Sequence, residues 1–412
     1  MSSLNKKFAI GLAAVGPGLF LIGYNIGTGS VTTMAQTGAN HGMSLFWALI
    51  LSCIFTYILM VTYGRMALVT GKTALQAVKT EFKFGWILAL YILIAIVIGE
   101  LLAIIGVMGI VADLVQEGLR MATGSTFSRG GIIFVLSCAM YYLIWKGKYK
   151  QFEKVLTVFV ILMAFSFFVV FILLKPDLKE IFSGMIPNLD FQPGSFGLIA
   201  AIAGTTCSAA VFIVRSTVVL EKGWTKNDIP LEKKDSFVSA SMMLFLSAMI
   251  MAVAAGTLHP KGISISNTID MVHLFEPLGG KVAAFVFIIG VASAGLSTIF
   301  PIVLIAPWLI SDYTGKPRDL KSPLFRILIL IGFLFAFGSV FLTQRPPALM
   351  IFSQAFQACI LPAVAIPAAI MISNRSKMKE YAASMKLKIG LWAVILFSFV
   401  TTWFAIVELL KL

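Results

Sequence analysis

Residues 23–30 read GYNIGTGS and residues 204–210 read GTTCSAA, and each stretch interrupts a long apolar run. Glycines and hydroxyl side chains at the depth of the membrane centre disfavour a continuous helix. The two stretches occupy corresponding positions if the chain consists of two five-span halves of opposite topology. Such paired interruptions are typical of secondary transporters, whose substrate sites lie at the unwound segments. The alternative is that small residues only allow helices to pack closely.

The rest of the chain consists mainly of apolar runs long enough to cross a bilayer. Of 412 residues, 59% are hydrophobic and 12% are charged, and the mean hydropathy is +0.96. About 20 apolar residues cross the hydrocarbon core as a helix. We therefore predict an all-α membrane protein with 11 transmembrane helices, of which helices 1 and 6 are broken. The spans are expected to begin near residues 11, 43, 86, 130, 152, 195, 236, 281, 324, 347 and 388.

The basic residues lie mostly in alternate connections between the spans. The chain carries 32 Lys and Arg against 18 Asp and Glu, a formal net charge of +14. The positive-inside rule then predicts a multi-pass protein of the plasma (cytoplasmic) membrane, with a cytoplasmic N-terminus and an extracytoplasmic C-terminus. Because the charge follows the topology and no nucleic-acid-binding module is recognisable, we expect the lipid bilayer, and no nucleic acid, as a partner.

No soluble domain interrupts the spans, so we predict a single transmembrane transport domain over residues 1–412. Its first inverted repeat is expected at 8–174, its second at 194–374, and an extra helix 11 at 387–411. The four cysteines lie inside apolar spans without a CxxC pair, and the three histidines lie in outer connections. Since no catalytic motif is recognisable, we expect no enzyme activity, no cofactor and no metal-binding cluster. We also expect a monomer.

Few ionisable side chains lie inside the spans, and these are candidates for function because a charge in the membrane is costly. Glu100 stands in the third span with Asp113 nearly four turns later, and Arg215 lies in the sixth span. A carboxylate in apolar surroundings can take up a proton near neutral pH, so Glu100, Asp113 and Arg215 are predicted to couple transport to protons. The alternative is that Glu100 pairs with Arg215, or with backbone, and only locks helices together.

Two amide side chains in the tenth span form another polar group. Gln354 and Gln357 are three residues apart and therefore share roughly one helical face. Their amides offer donors and acceptors without charge. They are expected either to bind a polar solute or to form hydrogen bonds between helices.

Several short segments in a fixed order carry a resemblance to a known family; they are residues 16–18 and 38–47, 152–154, 163–167, 294–298, 352–354 and 361–362. With these segments the sequence resembles the natural resistance-associated macrophage protein (NRAMP) family of metal transporters over nearly the whole chain. The resemblance implies a five-plus-five inverted repeat of the LeuT type with 11 or 12 spans, and alternating access with proton coupling.

The chain departs from that family at the metal-binding positions. The family's Asp-Pro-Gly-Asn motif falls on residues 27–30, its Met-Pro-His-Asn motif on residues 208–211, and its later glutamine on Ile360. The acidic residue three positions after Glu100 becomes Ala103, and a sixth-span histidine becomes Arg215. The chain therefore resembles a divergent branch that lacks the metal-binding residues.

Neutral donors and acceptors stand in place of the family's metal ligands, and a polyhydroxylated solute would pair with such groups. We therefore predict proton-coupled symport of a neutral polar solute, most simply a monosaccharide such as glucose. The alternative is a transporter of divalent metal ions that takes hydrated Mg²⁺ rather than Mn²⁺ or Fe²⁺, because a hydrated ion tolerates neutral oxygen ligands. The expected substrate-binding residues are Asn25, Gly27, Thr28, Ser30, Thr205, Thr206, Ser208, Gln354 and Gln357.

Overall fold

A computed structural model of the chain describes residues 26–146, 149–175, 178–187, 192–341 and 346–410, which form helices and short connections without a strand. The helices are α1 (Thr28–His41), α2 (Phe46–Thr70), α3 (Ala74–Glu81), α4 (Gly85–Thr123), α5 (Arg129–Trp145), α6 (Tyr149–Leu174), α7 (Leu178–Ser183), α8 (Ser195–Thr206), α9 (Ala209–Glu221), α10 (Ile229–Thr257), α11 (Thr268–Thr314), α12 (Pro323–Phe337), α13 (Pro346–Ala358), α14 (Leu361–Ser373), α15 (Arg375–Met378) and α16 (Met385–Leu409).

Eight helical stretches are long and apolar enough to cross a membrane. Two shorter apolar helices, α5 and the second part of α6, accompany them. The prediction of an all-α, multi-pass integral membrane protein is confirmed, whereas the number of 11 spans stays a prediction. The eight stretches are Phe46–Thr70, Gly85–Thr123, Ser195–Glu221, Lys226–Lys261, Gly280–Thr314, Pro323–Val340, Pro347–Ser373 and Met385–Glu408.

The sixth span is divided in two at the predicted position. Helix α8 ends at Thr206, and Cys207 (φ −101°, ψ 49°) and Ser208 (φ −70°, ψ 130°) leave the helical conformation before α9 begins. Gly204 precedes this break and lies against the Gln354 carbonyl of α13, where a Cβ atom would overlap the backbone. Glycine is therefore required for the close approach of α8 to α13.

Only the second half of the first span lies within the described residues. Gly27 is extended (φ −98°, ψ −167°) and caps α1, so helical structure begins at Thr28, as expected for a span broken near its middle. The preceding segment, with Asn25 and the glycine-rich residues 16–18, lies outside the described residues.

The tenth span contains an interruption that the sequence analysis did not predict. Helix α13 ends at Ala358 and α14 begins at Leu361. The amides of Cys359 and Ile360 donate to the carbonyls three residues earlier, the tighter 3₁₀ pattern. Because Pro362 has no N–H to continue the α-helical pattern, it is the sequence signal for this break.

Long helices frame the centre of the bundle. Helix α4, with 39 residues, is about 60 Å long and extends beyond the hydrocarbon core. In α11, Gly280 (φ 64°, ψ −165°) separates a first helical segment from the eighth span. Helix α4 packs against α11 and α13, α10 against α1 and α2, and α8 against α13. Helix α4 therefore lies beside α11 and α13, and α13 lies beside the first half of the sixth span.

Candidate functional site

A cavity of about 30 Å³ lies where the broken spans meet α4, α11 and α13. Six of the nine predicted substrate-binding residues line it, and the tenth span contributes both of its glutamines. Three apolar side chains and Met350 complete the wall. The lining residues are Gly27, Gly29, Ser30, Glu100, Ala103, Val107, Thr205, Ser208, Thr298, Ile302, Met350, Gln354 and Gln357.

One side of the cavity is fixed by a hydrogen bond between the two broken spans. The hydroxyl oxygens of Ser30 on α1 and Thr205 on α8 lie 2.7 Å apart. Gly27 and Gly29 keep the approach open, since a Cβ on Gly27 would collide with Thr298 and one on Gly29 would lie 2.6 Å from Gln354 Nε2. Glycine at these positions therefore leaves room for side chains of α11 and α13.

The other side is formed by a chain of side-chain hydrogen bonds across three spans. Ser208 Oγ donates to Gln357 Oε1 at 2.7 Å, and Gln357 Nε2 donates to Glu100 Oε1 at 3.2 Å. Ser208 lies at the break of the sixth span, and Gln357 lies in the tenth span. Gln357 therefore uses both ends of its amide to join the sixth span to the third.

Two of the predicted substrate-binding hydroxyls do not line this cavity. Thr28 is fully buried, and its Cγ2 methyl lies near Gly295 of α11. Thr206 is also buried, and its hydroxyl has no hydrogen-bond partner among the described residues. Asn25, the remaining member of the predicted set, lies outside the described residues.

Glu100 is the carboxylate of the cavity, as far as the described residues go. It is 3% exposed and lies near the middle of α4. The other polar side chains that line the cavity carry hydroxyl and amide groups, which are uncharged. The site therefore combines one carboxyl group with several neutral donors and acceptors.

Arg215 does not pair with Glu100, so the alternative of a Glu100–Arg215 lock is wrong. Its guanidinium is fully buried between α9 and α10, where Nη1 lies 2.5 Å from Asp235 Oδ2 and Nη2 lies 3.1 Å from Glu232 Oε1. Seven residues, or two turns of α9, separate Arg215 from Ser208 at the cavity. Arg215 therefore lies outside the cavity.

Asp113 is also remote from the cavity. It follows Glu100 on α4 by about 20 Å along the helix axis, and its Oδ1 forms an ion pair with Arg129, 2.7 Å from Nε. Arg129 Nη1 also donates to the Ser339 carbonyl at 2.8 Å. Asp113 thus joins α4 to α5 and to the connection after α12.

Besides Glu117, which pairs with Arg120, three buried carboxylates were not predicted from the sequence. Glu232 and Asp235 are 0% and 2% exposed, and Asp312 is 4% exposed. Asp312 accepts from Arg318 and, at 3.2 Å, from Thr217. The spacing of Glu232 and Asp235 on one helical face is the signal that could have identified them, but the intervening lysines made this segment resemble a connection.

The family described as "Natural resistance-associated macrophage protein-like" matches residues 18–408. The chain is 24% identical over 401 residues to the "Divalent metal cation transporter MntH" of Bradyrhizobium diazoefficiens, covering 93% of this chain and 86% of the relative.

Two solved structures share the fold. A manganese transporter of Eremococcus coleocola, in complex with an aromatic bis-isothiourea substituted compound, has a TM-score of 0.74 at 15% identity, covering 99% of this chain and 87% of that one. MhsT in complex with L-phenylalanine has a TM-score of 0.68 at 12% identity, covering 95% of this chain and 98% of that one. The predicted LeuT-type fold is therefore confirmed.

The predicted symport of a monosaccharide such as glucose is wrong. The curated relatives are named for divalent metal cations, and solved manganese transporters share the fold. The cavity of about 30 Å³ is also far below the roughly 300–1,000 Å³ of pockets for organic ligands. Hydroxyls and amides were interpreted as partners for a sugar, but the same groups also form hydrogen bonds with water molecules around an ion.

Proposed function

Because the chain belongs to the natural resistance-associated macrophage protein family, we propose that it transports divalent metal cations and takes Mg²⁺ with part of its water shell. The observation that carries the proposal is the pairing of Glu100 with neutral hydroxyl and amide groups around a small cavity. One carboxylate supplies charge, and the neutral groups accept or donate hydrogen bonds to bound water.

The donor set suits an ion that keeps water. Mg²⁺ loses its water reluctantly and usually binds proteins through one or two carboxylates. Ser30, Thr205 and Ser208 present hydroxyl groups at the cavity, which can hydrogen-bond to such water. A volume of about 30 Å³ holds roughly two or three water-sized particles, such as an ion with one or two water molecules, rather than a bulky organic solute.

Met350 favours a second candidate, a softer ion such as Mn²⁺. Its side chain lines the cavity, with Sδ against Gly106 of α4. A thioether is a softer ligand than a hydroxyl or an amide and so improves the site for a transition metal. The relative abundance of oxygen donors makes Mg²⁺ the first candidate.

Alternating access would use the breaks in the first and sixth spans as hinges. We place the inverted repeats at 8–174 and 194–374 and the extra helix at 387–411. The distribution of Lys and Arg supports a cytoplasmic N-terminus in the plasma membrane and an extracytoplasmic C-terminus. In this proposal the chain moves its substrate without chemical change, so no catalytic step is assigned.

The test is cation uptake into proteoliposomes that contain the purified chain. We expect Mg²⁺ uptake that cobalt(III) hexaammine leaves unchanged, because this inert complex imitates a fully hydrated ion and cannot lose ligands to enter a cavity of about 30 Å³. Glu100→Gln should lower kcat/KM for Mg²⁺ at least tenfold, equivalent to about 1.4 kcal/mol. Glu117→Gln is the matched control, since Glu117 lies on the same helix but pairs with Arg120 outside the cavity.

The outcomes separate the candidates. Uptake of Mn²⁺ in preference to Mg²⁺ that falls in Met350→Leu would select the second candidate. Absence of uptake for both Mg²⁺ and Mn²⁺, in liposomes where the protein is shown to be folded and inserted, would overturn the proposed function.

A further inference from the structure

A second cluster of ionisable groups, distinct from the cavity, lies between α9 and α10. Besides its contacts with the two carboxylates, Arg215 Nη2 donates to the Glu232 carbonyl at 3.3 Å and to Ser236 Oγ at 3.1 Å. Ser236 Oγ in turn donates to Glu232 Oε1 at 2.8 Å. The side chains of Arg215, Glu232 and Asp235 are all 0% exposed.

Within this cluster, Glu232 has one carboxylate oxygen that accepts no hydrogen bond from the described residues. Its Oε1 accepts from Ser236 and Arg215, but Oε2 is buried and has no hydrogen-bond partner among the described residues. The guanidinium of Arg215 lies closest to Asp235, at 2.5 Å, and it also pairs with Glu232. One positive charge is therefore shared between two carboxylates. A buried ionised oxygen without a donor is costly, and a proton on that oxygen removes the cost.

We propose that Glu232 is a proton-binding site, with the proton on Oε2, and that its occupancy changes as α9 moves during cation transport. The link between proton occupancy and cation transport rests on the proposed function. Proton binding forms one O–H bond on Glu232 from a hydronium ion and leaves water, so no other reactant is needed.

The surroundings of Glu232 contain few groups that could compensate its charge. From α2, Gly64 packs directly against the carboxylate, because a Cβ there would overlap Glu232. Two titratable residues of α2, Tyr57 and Arg65, lie near Glu232. Tyr57 interacts electrostatically with both Glu232 and Arg65. Arg65 forms no salt bridge with Glu232. Among the described residues, Arg215 is therefore the cation that Glu232 contacts.

The geometry of α9 connects this site to the cavity. Ser208 caps α9 and lines the cavity, and Arg215 follows seven residues later, about 10 Å along the helix and on nearly the same face. Rotation or translation of α9 would therefore change the distance between Arg215 and Glu232, and with it the affinity of Glu232 for a proton. Glu100 remains available for the cation, since the proton has a site of its own.

The first measurement is made on the purified full chain in detergent, without transport. We expect an infrared band of a protonated carboxyl group that titrates with pH and is lost in Glu232→Gln. Glu221→Gln is the matched control, because Glu221 lies at the end of α9, is 40% exposed and pairs with Arg318. A band that persists unchanged in Glu232→Gln would overturn the proposal.

The second measurement follows proton flux and Mg²⁺ uptake together in proteoliposomes. We expect that Glu232→Gln retains Mg²⁺ uptake driven by the Mg²⁺ gradient. The proton flux that accompanies this uptake should be at least tenfold lower than in the unsubstituted protein. Full proton flux in Glu232→Gln would refute the coupling. If the unsubstituted protein transports no divalent cation, the proposed function fails, while the infrared result still decides whether Glu232 binds a proton.

A variant that fails to fold does not end the test. Glu232→Asp keeps a carboxyl group, but its side chain is one methylene shorter, so the carboxyl group lies farther from Ser236 and Arg215. We expect the pH midpoint of the infrared band to shift in this variant. An unchanged midpoint would assign the band to another group and overturn the proposal.

Discussion

The cavity and the Arg215 cluster lie two helical turns apart along α9, but their charges are arranged in opposite ways. The cavity has one carboxylate, Glu100, among hydroxyl and amide groups. The cluster packs a guanidinium against two carboxylates at zero exposure. Charges in this chain are therefore concentrated where helices contact one another, and the cavity remains weakly charged. In the proposed function, the transported ion supplies the missing positive charge.

The largest effect is expected from Arg215→Met, which tests the structural half of this comparison. The variant withdraws the guanidinium that Glu232 and Asp235 share, and should lower the free energy of unfolding by about 3–5 kcal/mol. Thermal unfolding in detergent measures this. Arg318→Met is the control, because Arg318 also binds a buried carboxylate but is 14% exposed. Equal losses in both variants would contradict the special role of the Arg215 cluster.

Gly204→Ala should have the next largest effect and tests the wall of the cavity. The added Cβ meets the Gln354 carbonyl, and backbone on both sides has to shift. We expect a loss of about 1–3 kcal/mol in stability, together with reduced uptake. Gly131→Ala on α5 is the control, since its Cβ would lie 3.7 Å from the nearest atom. A destabilisation no greater than that of Gly131→Ala would mean that α8 and α13 are not closely packed.

Gln357→Leu tests whether the hydrogen-bond chain supports the cavity. It removes the acceptor of Ser208 and a donor to Glu100, so we expect a stability loss of about 1–2 kcal/mol. Uptake of Mg²⁺ should fall several-fold because Glu100 is held less firmly. The measurements are thermal unfolding and uptake kinetics. Wild-type uptake in this variant would exclude Gln357 from the site.

The smallest effects come from a pair of neighbouring hydroxyls. Ser208→Ala removes a group at the cavity and should weaken Mg²⁺ uptake a few-fold, about 0.5–1 kcal/mol. Thr206→Val removes a buried hydroxyl without a hydrogen-bond partner, so uptake should be unchanged and stability equal or slightly higher. Uptake kinetics of both variants measure this difference. If Thr206→Val reduced Mg²⁺ uptake more than Ser208→Ala, Thr206 rather than Ser208 would face the cavity, which contradicts the structure.

Most helix positions could be predicted from the sequence, because a membrane span leaves a strong apolar pattern. The spans predicted near 86, 130, 195 and 324 correspond to helices that begin at Gly85, Arg129, Ser195 and Pro323. The span predicted near 236 is preceded by helical structure from Ile229. Its first two turns carry charged residues that resemble a connection until their partner on α9 is known.

The site was predicted less completely, for reasons of geometry and chemistry. Gln354 and Gln357 both line the cavity, as their three-residue spacing predicts. Thr28 and Thr206 are neighbours of lining residues, but each residue of a helix is rotated by about 100° from the last, so they face elsewhere. The substrate was predicted wrongly because neutral oxygen groups match either a sugar or a hydrated ion, and their number alone does not distinguish the two.

The amide of Gln357 has a consequence for ion discrimination. Its Nε2 donates to Glu100 in this structure, so an ion that binds Glu100 must compete with an internal N–H group. In the proposed function, a singly charged ion gains less from one carboxylate than a doubly charged ion at the same distance, and is less able to displace the amide. Gln357 would thus set a threshold that favours divalent over monovalent cations, so that abundant Na⁺ and K⁺ would be rejected even though the cavity contains a single carboxylate.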